Sequence, residues 1–340
     1  MRDFDPTTSG VGVFPQSDAI DQSLAARSED ASRPKDKQLS QKTQTVAVVG
    51  LGSIGAVVAG YLQRAGRQRV VACVKKPTDR VTVVRACGAE TIQLRALTNP
   101  QDARPVDWVI LATKAYQTPT AAPWLKRLCN SSTRVAVMQN GIDLVSRVAP
   151  FVGDATVVPT VVFLNSERLT ENGVRFRQMT DYDFIVPDDP NGRAFVELLQ
   201  GTLLRVLAAP DFTTLAWEKL VYNAIINPIT ALTLQRFSVF QRSDVLKLAE
   251  AMLEETIAVA RANGARLRIE KLSKRLFDAL SAHQELGTSM YADRLAGRSL
   301  EADAINGAVV RAGNRVGLPT PLNQVMLTLL SASNNAGDHV

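Results

Sequence analysis

Lys219, Asn223 and Asn227 stand four residues apart in the stretch Ala216-Trp217-Glu218-Lys219-Leu220-Val221-Tyr222-Asn223-Ala224-Ile225-Ile226-Asn227-Pro228. On a helix, each step of four residues advances about 400°, so the three polar side chains form one stripe. Trp217, Leu220, Val221, Ile225 and Ile226 surround that stripe. A lysine and two amides in so apolar a setting are costly unless they find partners. A solvated helix face is the plain alternative. The chemistry the set would suit is protonation of a carbonyl oxygen. Partial desolvation lowers a lysine pKa toward the working range, and its charge polarises the carbonyl. The amides can hold a carboxylate or hydroxyl without adding charge. Histidine, the usual proton donor, is scarce: His283 lies in a polar stretch and His339 near the C-terminus.

A second constellation, Gly50-Leu51-Gly52-Ser53-Ile54-Gly55, follows directly on the apolar run Thr45–Val49. Gly50 permits a tight turn, Gly52 lets backbone approach a pyrophosphate, and Gly55 lets the next helix pack on the sheet. The helix N-terminus offers N–H groups and partial positive charge to the phosphates. Gly50, Leu51, Gly52, Ser53, Ile54 and Gly55 are therefore expected to bind a dinucleotide; an ordinary turn in a buried sheet is the alternative. At the end of the following strand an NAD site commonly carries an acid. Here Lys75 and Lys76 stand there. Two cations fit a 2′-phosphate, so the expected cofactor is NADPH.

The elements that must position these residues are legible in outline. Thr45–Val49, 69–74, 108–112 and 134–138 read as strands buried on both faces, with a helix over 54–65 after the first. Further strands are expected at 156–163, 174–178 and 184–186, and a helix at 191–202. Beyond Pro210 the periods are helical: 217–234, 243–263, 269–280, 300–316 and 321–331. Pro228, Gly264, Gly297 and Gly317 punctuate them. The expected fold class is α/β, a Rossmann-like doubly wound sheet followed by an all-α C-terminal domain. The expected organisation is a disordered tail at 1–44, a nucleotide-binding domain at 45–209 and a helical domain carrying substrate and catalytic groups at 210–335.

Composition narrows the partners. The chain has 340 residues and a net charge of +6, but no block of lysine and arginine, and only 6% of its residues are aromatic. Nucleic acid is not the expected partner; anionic small molecules are. Cys73, Cys87 and Cys129 fit neither a zinc pattern nor a disulfide framework, so no metal is expected and the cytoplasm is the expected compartment. No apolar run approaches the length of a membrane span. The acidic residues of the first 44 argue against an organellar transit peptide.

Taken in order, Gly50-x-Gly-x-x-Gly, Thr113-Lys114-Ala115-Tyr116-Gln117, Gln139-Asn140-Gly141, Lys219-x-x-x-Asn-x-x-x-Asn-Pro, Ser289-Met290 and Glu301-Ala302-Asp303-Ala304-Ile305-Asn306-Gly307 resemble the ketopantoate reductase family. The resemblance runs from about Thr45 to the end of the last helix. It implies NADPH-dependent reduction of ketopantoate to pantoate, on the route to pantothenate and coenzyme A. It implies that Lys219 protonates the substrate carbonyl, that Asn223, Asn227 and Ser289 hold the substrate, and that Glu301 lies near cofactor and active site. It implies that Lys114 and Asn140 line the cofactor, Asn140 also close to the reacting centre, and that Lys75 meets the 2′-phosphate. The implied partners are a small-molecule 2-keto acid and, as one option, a second copy of the chain in a homodimer.

Each of these matches has a plainer reading. Glu301 falls in the first turn of the expected 300–316 helix, where an acid is favourable in any case. Ser289 could be a local cap, and Asn140-Gly141 an ordinary turn. Thr288 stands where the family commonly has a second serine, and Pro159–Arg168 departs from its usual Gly-Val-Thr pattern. Two other readings stay open: a reductase of another 2-keto acid or a β-hydroxyacid dehydrogenase, and a noncatalytic NADP-binding regulator.

Overall fold

The computed structural model describes residues 43–335. Residues 1–42 of the expected tail, and His339, lie outside that range. The described chain divides into two units. One is built on sheets and comprises residues 43–139 and 144–212; the other is helical, comprises residues 213–335, and also takes in Asn140–Asp143. No helix among the described residues is long and apolar enough to cross a membrane.

The sheet unit opens with β1 (Thr45–Val49), α1 (Ser53–Ala65) and β2 (Arg69–Cys73). It continues through β3 (Arg80–Arg85), β4 (Gly88–Gln93), β5 (Ala96–Leu97), β6 (Trp108–Leu111), α2 (Thr118–Leu128), β7 (Arg134–Val137), α3 (Leu144–Val152) and β8 (Thr156–Pro159). Six of the strands form one parallel sheet in the order β5-β2-β1-β6-β7-β8. The side chains of β1 explain why its sequence does not alternate in polarity. Val46 and Val48 pack into one apolar cluster with Val57 and Val58 of α1, while Ala47 and Val49 pack into another with Leu125 and Val148 of α2 and α3. Both faces are covered, so every position must be apolar. The strand order reverses at β1, whose neighbours are β2 and β6. In open α/β sheets the crevice beyond the strand ends at such a reversal is where ligands bind.

The unit is completed by β9 (Val161–Val162), β10 (Asn165–Arg168), β11 (Gly173–Arg177), β12 (Phe184–Pro187), α4 (Pro190–Leu198) and β13 (Val206–Ala209). Here the structure departs from the sequence reading. The expected strand at 156–163 is broken at the buried Thr160, because β8 ends the six-stranded sheet whereas β9 joins β12 and β13 in a sheet of its own. A further sheet, β10-β11-β3-β4, contains three strands with no counterpart in that reading. β4 (Gly-Ala-Glu-Thr-Ile-Gln) buries only Ile92. A strand that needs one buried side chain carries too weak a pattern to stand out.

The helical unit comprises α5 (Phe212–Thr233), α6 (Ser243–Ala262), α7 (Ile269–Ala282), α8 (Ser289–Leu295), α9 (Asn306–Val316) and α10 (Pro321–Asn335). α5 is its core element, with Trp217, Leu220, Val221, Ala224, Ile225 and Ile226 all buried. Pro228 sits inside α5 rather than ending it. A proline lacks the N–H that would serve the carbonyl four residues back, which here belongs to Ala224. The side chain of Asn306 supplies the missing donor: its Nδ2 reaches the Ala224 carbonyl at 2.9 Å and also Asn323 Oδ1 at 2.9 Å. Asn323 Nδ2 in turn donates to Glu255 Oε1 at 2.8 Å and to Thr256 Oγ1 at 3.1 Å. The Glu255 carboxylate also accepts from the backbone N–H groups of Leu322 and Asn323 in the first turn of α10. That satisfies donors that a helix start leaves without intrahelical partners. One buried polar chain thus ties together α5, α9, α10 and α6.

Asn306 also accounts for a correction. The helix expected from residue 300 begins instead at Asn306, after a turn at 302–305. Glu301 therefore precedes the helix and does not occupy its first turn.

Asn306→Ala should destabilise the protein by about 1–3 kcal/mol, the cost of a buried acceptor left unserved, as measured by chemical denaturation. In a Pro228→Ala background the restored N–H can serve Ala224, and the cost of Asn306→Ala should shrink. Equal costs in both backgrounds would disprove the repair of Ala224 by Asn306.

Candidate active site

Within the helical unit, the stripe on α5 has the environment its composition implies. Lys219 and Asn223 are partly buried and Asn227 is buried, on a helix whose other faces are mostly core. Burial pushes the Lys219 pKa down from its ordinary value to about 8, against the opposing pull of the Glu301 carboxylate. Glu301 is itself buried, only 6% exposed. It accepts a hydrogen bond from Asn140 Nδ2 at 2.8 Å. The structure therefore brings together Lys219, Glu301 and Asn140, three residues from widely separated positions in the chain. A buried acid held by an amide and influencing a desolvated lysine is suited to proton transfer.

Asn140 lies in the turn after β7, and Gly141 beyond it has φ of +103°. That left-handed conformation suits glycine and lets the chain reverse directly after the amide. The α8 end of the site is fixed differently. Thr288, not Ser289, is the N-cap: its Oγ1 accepts from the Tyr291 N–H at 3.0 Å. Thr288 Oγ1 also meets Thr230 Oγ1 at 2.9 Å, and Thr230 Oγ1 donates to the Ile226 carbonyl at 2.8 Å. Each hydroxyl has one proton, so the direction follows: Thr288 donates to Thr230, which donates to Ile226. This seats the start of α8 against α5 one turn beyond Asn227. Ser289 follows the cap with its side chain exposed. The threonine that departs from the family's usual serine has a defined structural task.

The glycine turn lies in the sheet unit. Gly50 has φ of +93°, and its N–H donates to the Cys73 carbonyl at the end of β2. A Cβ on Gly55 would stand 2.0 Å from the Gly50 carbonyl oxygen, so the protein's own packing requires glycine there. Gly52 is different. A Cβ there would meet only the Ala112 carbonyl oxygen, at an ordinary 3.8 Å. Nothing in the packing excludes a side chain at Gly52, and the space left open is what the close approach of a pyrophosphate needs. α1 begins at Ser53 with no side-chain cap and no acid in its first turn, which leaves its N–H groups available to an anion.

A cavity of about 280 Å³ adjoins this turn. Gly50, Leu51, Lys75 and Lys76 are among its lining residues, whereas Gly52, Ser53, Ile54, Gly55 and Lys114 are not. The backbone N–H of Lys114 is held by Gln117 Oε1 at 3.2 Å. Thr113, Gln117, Arg80 and Arg168 also line the cavity, and the sequence reading assigned none of them to the cofactor. Arg80 and Arg168 belong to β3 and β10, strands that were not expected, although the alternation of Arg80-Val-Thr-Val-Val-Arg85 was a usable signal. Lys76 forms an exposed ion pair with Glu171 at 3.6 Å, which contributes little to stability in water.

Comparison with known proteins places this arrangement. The family described as "Ketopantoate reductase PanE/ApbA" matches residues 46–187, and its C-terminal counterpart matches residues 211–334. The chain is 40% identical over 293 residues to a 2-dehydropantoate 2-reductase of Mycobacterium tuberculosis, covering 85% of this chain and 98% of the relative. It is 34% identical over 292 residues to a 2-dehydropantoate 2-reductase of Caulobacter vibrioides, covering 85% of this chain and 99% of the relative. The crystal structure of a PanE/ApbA family ketopantoate reductase from Ralstonia eutropha has the same fold, with a TM-score of 0.78 at 23% identity over 87% of this chain and all of that one. With the motifs, the fold and the matches in agreement across both units, the chain belongs to the ketopantoate reductase family, oxidoreductases that work with a nicotinamide cofactor.

Proposed function

We propose that this protein reduces ketopantoate to pantoate with NADPH, and that Lys219 is the acid that protonates the product oxygen. The observation that carries the reading is the desolvated Lys219 beside a buried Glu301 that Asn140 holds. When bound, the dihydronicotinamide supplies the hydride. Gly50, Leu51, Gly52, Ser53, Ile54 and Gly55 would hold its pyrophosphate through backbone, and Lys114 and Asn140 would contribute to its binding. Lys75 would meet the 2′-phosphate.

Reduction of a keto carbon leaves negative charge on its oxygen. At neutral pH Lys219 is an ammonium, because its pKa of about 8 lies above the ambient pH. It polarises the carbonyl and gives its Nζ proton to the alkoxide as that charge develops. Glu301 supports the ammonium before the transfer, and the lysine is left as a neutral amine that regains its proton from solvent. Asn223, Asn227 and Ser289 hold the carboxylate and hydroxyl groups of the substrate by hydrogen bonds.

Lys219→Ala should lower kcat by at least about a hundred-fold while the protein stays folded and binds NADPH. Lys219→Arg should rescue little, because a guanidinium keeps its charge but does not release a proton near neutral pH. Near-normal kcat in Lys219→Ala would remove lysine from the mechanism.

The pH dependence has a definite sign. Lys219 is charged below its pKa and neutral above it, so kcat/KM should fall as pH rises through about 8. Glu301→Gln removes a carboxylate that raises the lysine pKa, and should move that limb to lower pH. A limb that stays in place would separate Glu301 from Lys219.

For the cofactor, a charge-assisted contact to phosphate contributes about 1.5–3 kcal/mol, or about ten-fold or more in affinity. Lys75→Ala should weaken NADPH by that factor and leave NADH nearly unchanged, as titrated by fluorescence. Equal losses for both nucleotides would dissociate Lys75 from the 2′-phosphate.

A further inference from the structure

Asn140 donates a hydrogen bond to Glu301, and each sits in a short irregular segment rather than on a helix or strand. Something must hold those segments in register, and the structure shows a side chain that touches both. Arg311, one turn into α9, donates from Nε at 3.2 Å and from Nη2 at 2.8 Å to Asp143 Oδ2, three residues beyond Asn140. The same guanidinium donates from Nη1 to Asp303 Oδ1 at 2.5 Å and from Nη2 to the Asp303 carbonyl at 3.0 Å, two residues beyond Glu301. The planar fork of arginine spans two acceptors in a way a lysine cannot.

An independent feature supports the clasp. Gly307 lies one turn before Arg311 on the same helix. A Cβ there would stand 2.9 Å from Asp303 Oδ1 and 3.2 Å from Arg311 Nη1. Gly307 has an ordinary φ, and a glycine inside a helix costs about 1 kcal/mol relative to alanine. The space it leaves is the space the Asp303–Arg311 pair occupies. Asp143 is mostly buried, its side chain 16% exposed, so its half of the clasp is shielded from water in a way the exposed Asp303 side chain is not.

We infer that Arg311 is a positioning residue for the reduction: by bridging Asp143 and Asp303 it keeps the Asn140 amide on the Glu301 carboxylate, and so sets the surroundings of Lys219. This rests on the proposed roles of Lys219, Glu301 and Asn140. Arg311 touches neither of the two groups it aligns, and acts through the segments that carry them.

The test is a double-mutant cycle in the full chain. Asn140→Ala, Arg311→Gln and the double variant are assayed for kcat and KM with NADPH and ketopantoate, alongside NADPH affinity and the unfolding midpoint. Arg311→Gln should lower kcat about ten-fold, the size of effect expected for coupled neighbours, with NADPH affinity unchanged. In the Asn140→Ala background the same substitution should cost almost nothing further, and Arg311→Lys should recover only part of the loss. Asp143→Asn removes the same link from the other side and should reproduce the kcat loss; it serves in place of Arg311→Gln if that variant folds poorly. A loss from Arg311→Gln that is equal with and without Asn140, or no loss at all, overturns the inference while leaving the site intact. If Asn140→Ala itself keeps full kcat, the site reading fails, and the inference with it.

Discussion

An ammonium set in a helix that is otherwise core is the constraint on which the helical unit turns. Lys219 sits on a helix whose neighbouring positions bury tryptophan, leucine and isoleucine. Burial displaces its titration toward neutral pH, and the charge of Glu301 opposes that displacement. That buried carboxylate needs support of its own, which Asn140 provides. Each solution creates the next requirement, until the chain of demands reaches partly exposed groups such as Arg311 that water can serve. The proposed catalytic chemistry and the tertiary structure are in this sense one electrostatic problem.

The polar chain from Ala224 through Asn306 and Asn323 to Glu255 is a second case of the same logic without net catalytic purpose. A proline interrupts the central helix next to a candidate substrate amide. The carbonyl it leaves is served by the first residue of another helix, and that residue's second bond is to the start of a third. The result fixes α9 and α10 relative to α5, and Glu301 stands five residues before Asn306. Buried donors paired in this way, here both bonds of the Asn306 amide nitrogen, favour one arrangement where apolar packing alone would tolerate several.

Much of this was legible in the residues. The spacing of Lys219, Asn223 and Asn227 gave a helical stripe, and the apolar residues around it gave its burial. The run Thr45–Val49 with its glycines gave the strand, turn and helix at the start of the parallel sheet. What was not legible depends on partners far away in sequence. Of the β3–β4 hairpin, β4 buries a single side chain and so lacks a strong pattern. The late start of α9 has no local signal, because the residue before it, Ile305, carries no capping side chain. Arg80 and Arg168 face the cavity beside Lys75 because a separate small sheet carries them there. Thr288 looked like a departure from a serine motif; its task as a cap bonded to Thr230 emerges only from the packing of α8 on α5.

The assignment of Asn140–Asp143 to the helical unit has a consequence for how divisible the chain is. These four residues are encoded between β7 and α3, deep within the sheet unit's stretch of sequence. No single cut yields two complete halves. A fragment that begins near Pro210 would contain every helix of the helical unit but would lack the amide that holds Glu301 and the acid that holds Arg311. A chimaera that exchanged residues 43–212 for those of a relative would import a foreign version of both. The two units are therefore not interchangeable modules: recombination between relatives must respect a seam running through the turn after β7, and not only the boundary before α5.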